Sequence, residues 1–179
     1  YKLCTFSRVM KEKGIEDAMN AVESVNAHFG RTVYTLDIFG QIDVEYKERF
    51  SQLEKSFPDY ISYGGAIEAN KSVETLKSYF ALLFPTYYKG EGFAGTLIDA
   101  MSAGVPVIAS DWKYNPEFVV PGKTGVIIKN CKAERLAEEL INIAAAPEKW
   151  NSMRLSALKE SEKYKPDIAA RPLIDRIDG

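Results

Sequence analysis

The residues best placed to do chemistry lie in Phe84-Pro85-Thr86-Tyr87-Tyr88-Lys89-Gly90-Glu91-Gly92-Phe93-Ala94-Gly95-Thr96-Leu97-Ile98-Asp99. An apolar run enters a stretch with three glycines in six residues, and a helical pattern follows. Glycines there let the backbone approach a ligand closely and leave amides free to donate. The start of a helix adds unpaired N–H groups and about half a positive charge, which favours phosphate or sugar oxygens. Glu91 precedes that helix and suits ligand hydroxyls. Asp99 sits about one turn inside an otherwise apolar helix, where an unpaired carboxylate is costly. On the residues alone two readings stand. One is an anion or polyol site; the other is a Glu91 that complements the helix dipole and an Asp99 that faces solvent.

Two cations, Arg8 and Lys13, follow the first apolar stretch, and a solvated surface pair is the plain alternative for them. Lys89 reads as an exposed loop lysine. The single histidine, His28, falls in the last turn of a helix before Gly30, and Cys4 and Cys131 are the only cysteines. A Cys/His zinc centre and a disulfide framework are therefore excluded. Cys4 reads as an apolar filler, and Trp112, Tyr114 and Trp150 as packing or rim residues, with Tyr114 a candidate for an acceptor side. Lys plus Arg number 23 against 25 for Asp plus Glu, a net charge of -2. That balance disfavours nucleic acid as a partner. With 46% hydrophobic and 27% charged residues in 179, the chain has the composition of one globular domain with its own core.

The elements that must carry these residues alternate. Lys2–Ser7, Thr32–Phe39, Ile61–Tyr63, Ala81–Pro85, Val105–Ser110 and Gly125–Ile128 read as strands. Between them, Ile15, Ala18, Met19, Val22 and Phe29 recur at helical spacing, as do Tyr46, Phe50, Leu53 and Phe57. Further helices are expected at Val73–Tyr79, at Thr96–Ala103, around Leu136, Leu140 and Ile143, and around Trp150, Met153 and Leu158. Alternation of this kind predicts an α/β fold with a doubly wound parallel sheet of about six strands and helices on both faces. Ligands in such sheets bind beyond the carboxyl ends of the strands. The first strand is followed by Ser7-Arg8-Val9 with no Gly-x-Gly-x-x-Gly, so a dinucleotide oxidoreductase is disfavoured.

Glu91-Gly92-Phe93-Ala94-Gly95-Thr96-Leu97-Ile98-Asp99 and Ala103-Gly104-Val105-Pro106-Val107-Ile108-Ala109-Ser110-Asp111 resemble the signature of the "glycosyl transferases group 1" family. This is the nucleotide-sugar-binding C-terminal half of retaining GT-B glycosyltransferases. Arg8-Val9-Met10-Lys11-Glu12-Lys13-Gly14 is similar to the family's Arg-x4-Lys-Gly segment. Asn115-Pro116-Glu117 and Gly122-Lys123-Thr124-Gly125 resemble its later turns. The family's Glu-x7-Glu spacing is kept, with Asp99 as a shorter second acid.

The resemblance implies a Rossmann-like domain over residues 1–179, the C-terminal half of a GT-B fold. It implies that Arg8 and Lys13 hold the donor diphosphate and that Glu91 meets hydroxyls of the donor sugar. Gly92, Phe93, Ala94, Gly95 and Thr96 would offer backbone to sugar and phosphate. Asp99 would grip the ribose, and Gly64 and Ile67 would lie near the base. The implied donor is a nucleotide diphosphate sugar, UDP first, with no metal and no other cofactor. The implied acceptor is a glycan or lipid-linked hydroxyl in polysaccharide, capsule or lipopolysaccharide synthesis. It would be held by an N-terminal domain absent from this chain, consistent with a start at Tyr1 rather than Met. The tail Pro166–Gly179 would run toward the helix that crosses back to that domain. The compartment is expected to be the cytoplasm, where unpaired cysteines persist, with room for peripheral attachment to the inner membrane face. The rivals are a non-catalytic nucleotide-sugar-binding module, and an epimerase or phosphorylase of the same fold.

Overall fold

The computed structural model describes residues 1–170 and Arg176; residues 171–175 and 177–179 of the tail lie outside the described residues. Six short strands, β1 (Lys2–Phe6), β2 (Thr35–Phe39), β3 (Ile61–Gly65), β4 (Ala81–Phe84), β5 (Val107–Ser110) and β6 (Gly125–Ile128), alternate with helices. These are α1 (Ile15–Phe29), α2 (Lys47–Glu54), α3 (Ser72–Leu76), α4 (Gly95–Ser102), α5 (Asn115–Phe118), α6 (Ala133–Ala145) and α7 (Pro147–Ser161). All strand pairs are parallel, in the order β3-β2-β1-β4-β5-β6. The chain winds outward from β1 to β3, then returns beside β1 with β4 and winds the other way. The order therefore reverses between β1 and β4, and a crevice opens beyond their carboxyl ends.

The sheet is covered on both faces, as parallel sheets must be. On one side Leu3, Leu36, Ile38 and Leu83 pack with α1 and α6 through Ala18, Val22, Leu136 and Leu140. On the other, Cys4, Leu82, Phe84, Val107 and Ala109 pack with α3 and α4 through Leu76, Leu97 and Ala100. Alternate residues of each buried strand thus serve opposite cores, which is why β4 and β5 carry no polar face. Cys4 is indeed a buried filler, and burial holds its thiol well above the usual range. Burial pushes the Cys131 thiol up to about 12.

The expected strands over-ran at their edges. Thr32, Val33 and Tyr34 precede β2, although Val33 and Tyr34 are buried. Their amides are taken by Asn26, not by a neighbouring strand. Asn26 Oδ1 accepts from Val33 N at 2.8 Å and Tyr34 N at 3.0 Å, and Nδ2 donates to Tyr34 O at 2.9 Å. Likewise α1 buries Ile15, Ala18, Met19 and Val22, but Phe29 in its last turn is exposed beside His28. Leu158 of α7 is also exposed, while Trp150 and Met153 are buried.

Asn26 is itself buried and closes the connection from α1 to β2. Asn26→Ala leaves three backbone groups without partners in a dry site, at a cost of about 3 kcal/mol. Urea unfolding is expected to show that loss as a lower midpoint with an unchanged slope. A loss below about 0.5 kcal/mol, the size of an ordinary surface substitution, would contradict this role.

Candidate functional site

Beyond β1 the chain turns through a short 3-10 segment at Lys11–Lys13 and enters α1 at Gly14. Gly14 has φ +72°, and a Cβ there would stand 2.4 Å from the carbonyl oxygen of Pro85. Only glycine allows the β1–α1 turn to lie this close to the segment after β4. Tyr87 N donates to Glu12 O at 2.8 Å and ties the same two segments. This contact brings Lys13 to Glu91, 78 positions away in sequence. Lys13 Nζ lies 2.8 Å from Glu91 Oε1 and 2.7 Å from Oε2.

Both side chains are nearly buried, at 12% and 8% exposure. The ammonium also faces the rings of Phe84 and Tyr88, at 5.6 and 5.3 Å from their centroids. Glu91 Oε2 accepts a third bond from Thr86 Oγ1 at 2.6 Å. A nearly buried ion pair is tolerated where both charges are satisfied, as here.

A cleft of about 350 Å³ opens over this pair. Arg8, Lys13, Glu91, Gly92, Phe93, Ala94, Gly95 and Thr96, all expected from the sequence, line it together with Ser7, Met10 and Tyr88. At its wall α4 begins at Gly95; no side chain caps that end and no acid lies in its first turn. The positive end of the helix dipole therefore meets the cleft without internal compensation. Phe93 is 70% exposed and rests edge-on against Phe118 at 5.2 Å. The arrangement suits a ligand with anionic oxygens at one end and hydroxyls at the other.

Other expected residues are elsewhere. Arg8 does not converge with Lys13: its guanidinium is exposed and pairs loosely with Asp43, at 3.6 Å. Lys13 is taken by Glu91 and nearly buried, so the plain reading of a solvated cation describes Arg8 and not Lys13, and the two do not form a joint cradle in this state. Asp99 does not line the cleft and does not simply face solvent; it accepts from Ser72 Oγ of α3 at 2.6 Å. Gly64 and Ile67 also lie outside the cleft lining. Ile38 opposes Tyr63 and Phe39 opposes Gly65, so Gly64 is the extra residue of a register shift. A Cβ on Gly64 would fall 2.1 Å from the Phe39 ring, so packing alone demands glycine there. Ile67 packs partly against the α3–α4 core.

Sequence reasoning passed over Thr86 and Ser110, whose hydroxyls point to partners 5 and 24 positions away. It also left Trp112 without a role beyond packing; the indole donates to Tyr88 O at 2.7 Å and steadies the cleft loop. Lys89 is exposed, Tyr114 half exposed, and among the described residues no three His, Cys, Asp or Glu side chains gather to hold a metal ion. No helix among the described residues is long and apolar enough to cross a membrane.

A six-stranded doubly wound sheet with its cleft at the β1/β4 reversal is the architecture of the C-terminal domains of GT-B glycosyltransferases. The C-terminal domain of the glycosyl transferase group 1 protein LpcC from Francisella tularensis superimposes with a TM-score of 0.77 at 19% identity, covering 93% of this chain and 87% of that one. Anabaena HepE, solved with UDP and glucose, gives a TM-score of 0.85 at 15% identity, over 99% of this chain and 48% of that chain.

The chain belongs to the glycosyl transferases group 1 family, whose model matches residues 1–160. It is 33% identical over 129 residues to the GtfA subunit of the UDP-N-acetylglucosamine–peptide N-acetylglucosaminyltransferase of Streptococcus gordonii, 72% of this chain and 24% of that protein. The chain spans between 24% and 36% of the length of three curated relatives it matches.

Proposed function

We propose that this chain is the donor-binding part of a retaining glycosyltransferase. It takes a sugar from a nucleotide diphosphate sugar to a hydroxyl of a glycan or lipid-linked acceptor. The observation that carries this reading is the Lys13–Glu91 pair set beside the uncapped start of α4, at the strand-order reversal. Lys13 and the α4 amides are matched to a diphosphate, and Glu91 to sugar hydroxyls. Arg8, on a short exposed turn at the cleft rim, swings from Asp43 to the same diphosphate when donor is present. These groups stabilise the charge that builds on the leaving nucleotide diphosphate, an electrostatic contribution often worth several kcal/mol. They do so without a metal ion in this proposal. The leaving phosphate serves as the base on the face from which it departs, so no protein nucleophile is required.

UDP is the proposed nucleotide, supported by the UDP-sugar named for the Streptococcus gordonii relative and the UDP bound to Anabaena HepE. Asp99 reaches the ribose by exchanging its Ser72 contact, and the base lies toward Gly64 and Ile67. The acceptor belongs to a second domain that closes over the cleft, in a cytoplasmic enzyme of glycoconjugate assembly. A purely binding module of the same fold would not need Glu91 and Lys13 kept paired and nearly dry.

Thermal melts with UDP, GDP, ADP and NAD test this directly. UDP at about ten times its dissociation constant is expected to raise Tm by about 3–5 °C. Stabilisation by NAD alone would overturn the donor-site reading.

A further inference from the structure

We infer that Thr86 is a positioning residue for Glu91, and that Ser110 and Asn115 hold Thr86 from behind. Thr86 has no exposed surface, yet it has a polar side chain immediately after the buried strand β4. Its hydroxyl lies 2.6 Å from Glu91 Oε2 and 3.4 Å from Glu12 O. A hydroxyl has one proton, and the short charge-assisted contact takes it. The same oxygen accepts from Tyr88 N at 3.2 Å, which fixes its rotamer.

Behind it, Ser110 Oγ donates to Thr86 O at 2.6 Å. Asn115 Nδ2 in turn donates to Ser110 O at 3.1 Å and Ser110 Oγ at 3.3 Å. Ser110 and Asn115 are 5% and 1% exposed, so this polar chain runs through the interior from α5, across the end of β5, to the cleft. Each hydroxyl proton in it has an acceptor, Thr86 donating to the Glu91 carboxylate and Ser110 to the Thr86 carbonyl oxygen.

The need for such a chain follows from the other partner of Glu91. Lys13 touches both carboxylate oxygens but is a point charge on a flexible stem. It neutralises Glu91 without fixing the plane of its carboxylate. Thr86 is β-branched and stiff, and it engages one oxygen only. It therefore decides which lone pairs of Glu91 face the cleft.

The test uses Thr86→Val, which keeps the shape, and Thr86→Ser, which keeps the hydroxyl. The first readout needs no ligand: the NMR signal of the Lys13 ammonium, slowed in exchange while it is clamped on an ordered Glu91. Thr86→Val is expected to speed that exchange about tenfold, the equivalent of one lost hydrogen bond to a charged group. Thr86→Ser restores the slow signal, and Ser110→Ala shifts it in the direction of valine. Wild-type exchange in Thr86→Val overturns the inference, and wild-type exchange in Ser110→Ala removes the rear of the chain.

The second readout rests on the donor-site reading proposed above. Thr86→Val is expected to lose about tenfold more affinity for UDP-glucose than for UDP. An equal loss for both ligands overturns the positioning role. If the wild-type chain binds neither, the donor reading fails while the ammonium signal still decides the role of Thr86.

Discussion

Lys13→Ala is expected to abolish nucleotide diphosphate binding and, at the same time, to lower stability by about 3 kcal/mol. Two separate causes act here. Removing the ammonium takes away a nearly buried cation that lines the cleft, and it leaves Glu91 as an unpaired carboxylate at 8% exposure. The stability loss sits at the low end for a broken buried pair, because Thr86 still donates to Glu91 and the cleft admits water. In a chain of this size that loss lowers Tm by about 6–12 °C.

The double variant Lys13→Met, Glu91→Gln separates the two causes. No charge is then left buried without a partner, so stability is expected to return to within about 1 kcal/mol of the wild type. Nucleotide binding is not expected to return. Calorimetric titration with UDP alongside chemical unfolding of both variants gives the answer. Recovery of binding in the double variant would falsify the assignment of Lys13 to the diphosphate.

Gly14→Ala is expected to disable the same site without touching either charge. Its left-handed φ of +72° makes any side chain unfavourable, by about 1–3 kcal/mol. The added Cβ also meets Pro85 O at 2.4 Å and Pro85 Cγ at 2.8 Å, both on a buried segment, for roughly 1–3 kcal/mol more. Relief requires the β1–α1 turn to retreat from the end of β4, and Lys13 retreats with it. Weakened UDP binding together with a loss of about 2–6 kcal/mol is the expected result.

Gly30→Ala is the control for backbone conformation. Gly30 has φ +63° but open space around it, so only the conformational cost should appear. Equal losses at the two positions would show that close approach to Pro85 does not place Lys13.

Glu16 adds a weaker dependence on acidity. Its hydrogen bond from Arg49 is the largest cause of a carboxyl held below the usual range, with Tyr46 donating as well. A lowered folded-state value means that the stabilisation is present above the ordinary carboxylate range and fades as pH falls through the depressed value. Neutral pH therefore keeps α1 and α2 joined at this point.

The order of strands and helices was legible in the sequence because it rests on short-range causes. Apolar runs of four or five residues, helical spacing of Ile15, Ala18, Met19 and Val22, and glycines at turns act within one element. Boundaries were less legible where a distant group replaced the expected partner, as Asn26 does for Val33 and Tyr34. The 84–96 loop was legible as a candidate site because its glycines and the following helix start are contiguous, and residues of it line the cleft.

By itself, then, the sequence determined the alternation that winds the sheet and the glycine loop, while only its resemblance to the family placed Arg8, Lys13 and Glu91 at one site. The tertiary structure decided how those groups are partnered. Lys13 meets Glu91 because β4 returns beside β1 and Gly14 allows the turn to touch Pro85. Asp99 turns to Ser72 because α3 and α4 pack on the same face of the sheet. Thr86 gains its place through Ser110 because β4 and β5 are neighbours. A side chain's type is local, but its partner is set by which chain ends packing brings within about 3 Å, the range of a hydrogen bond.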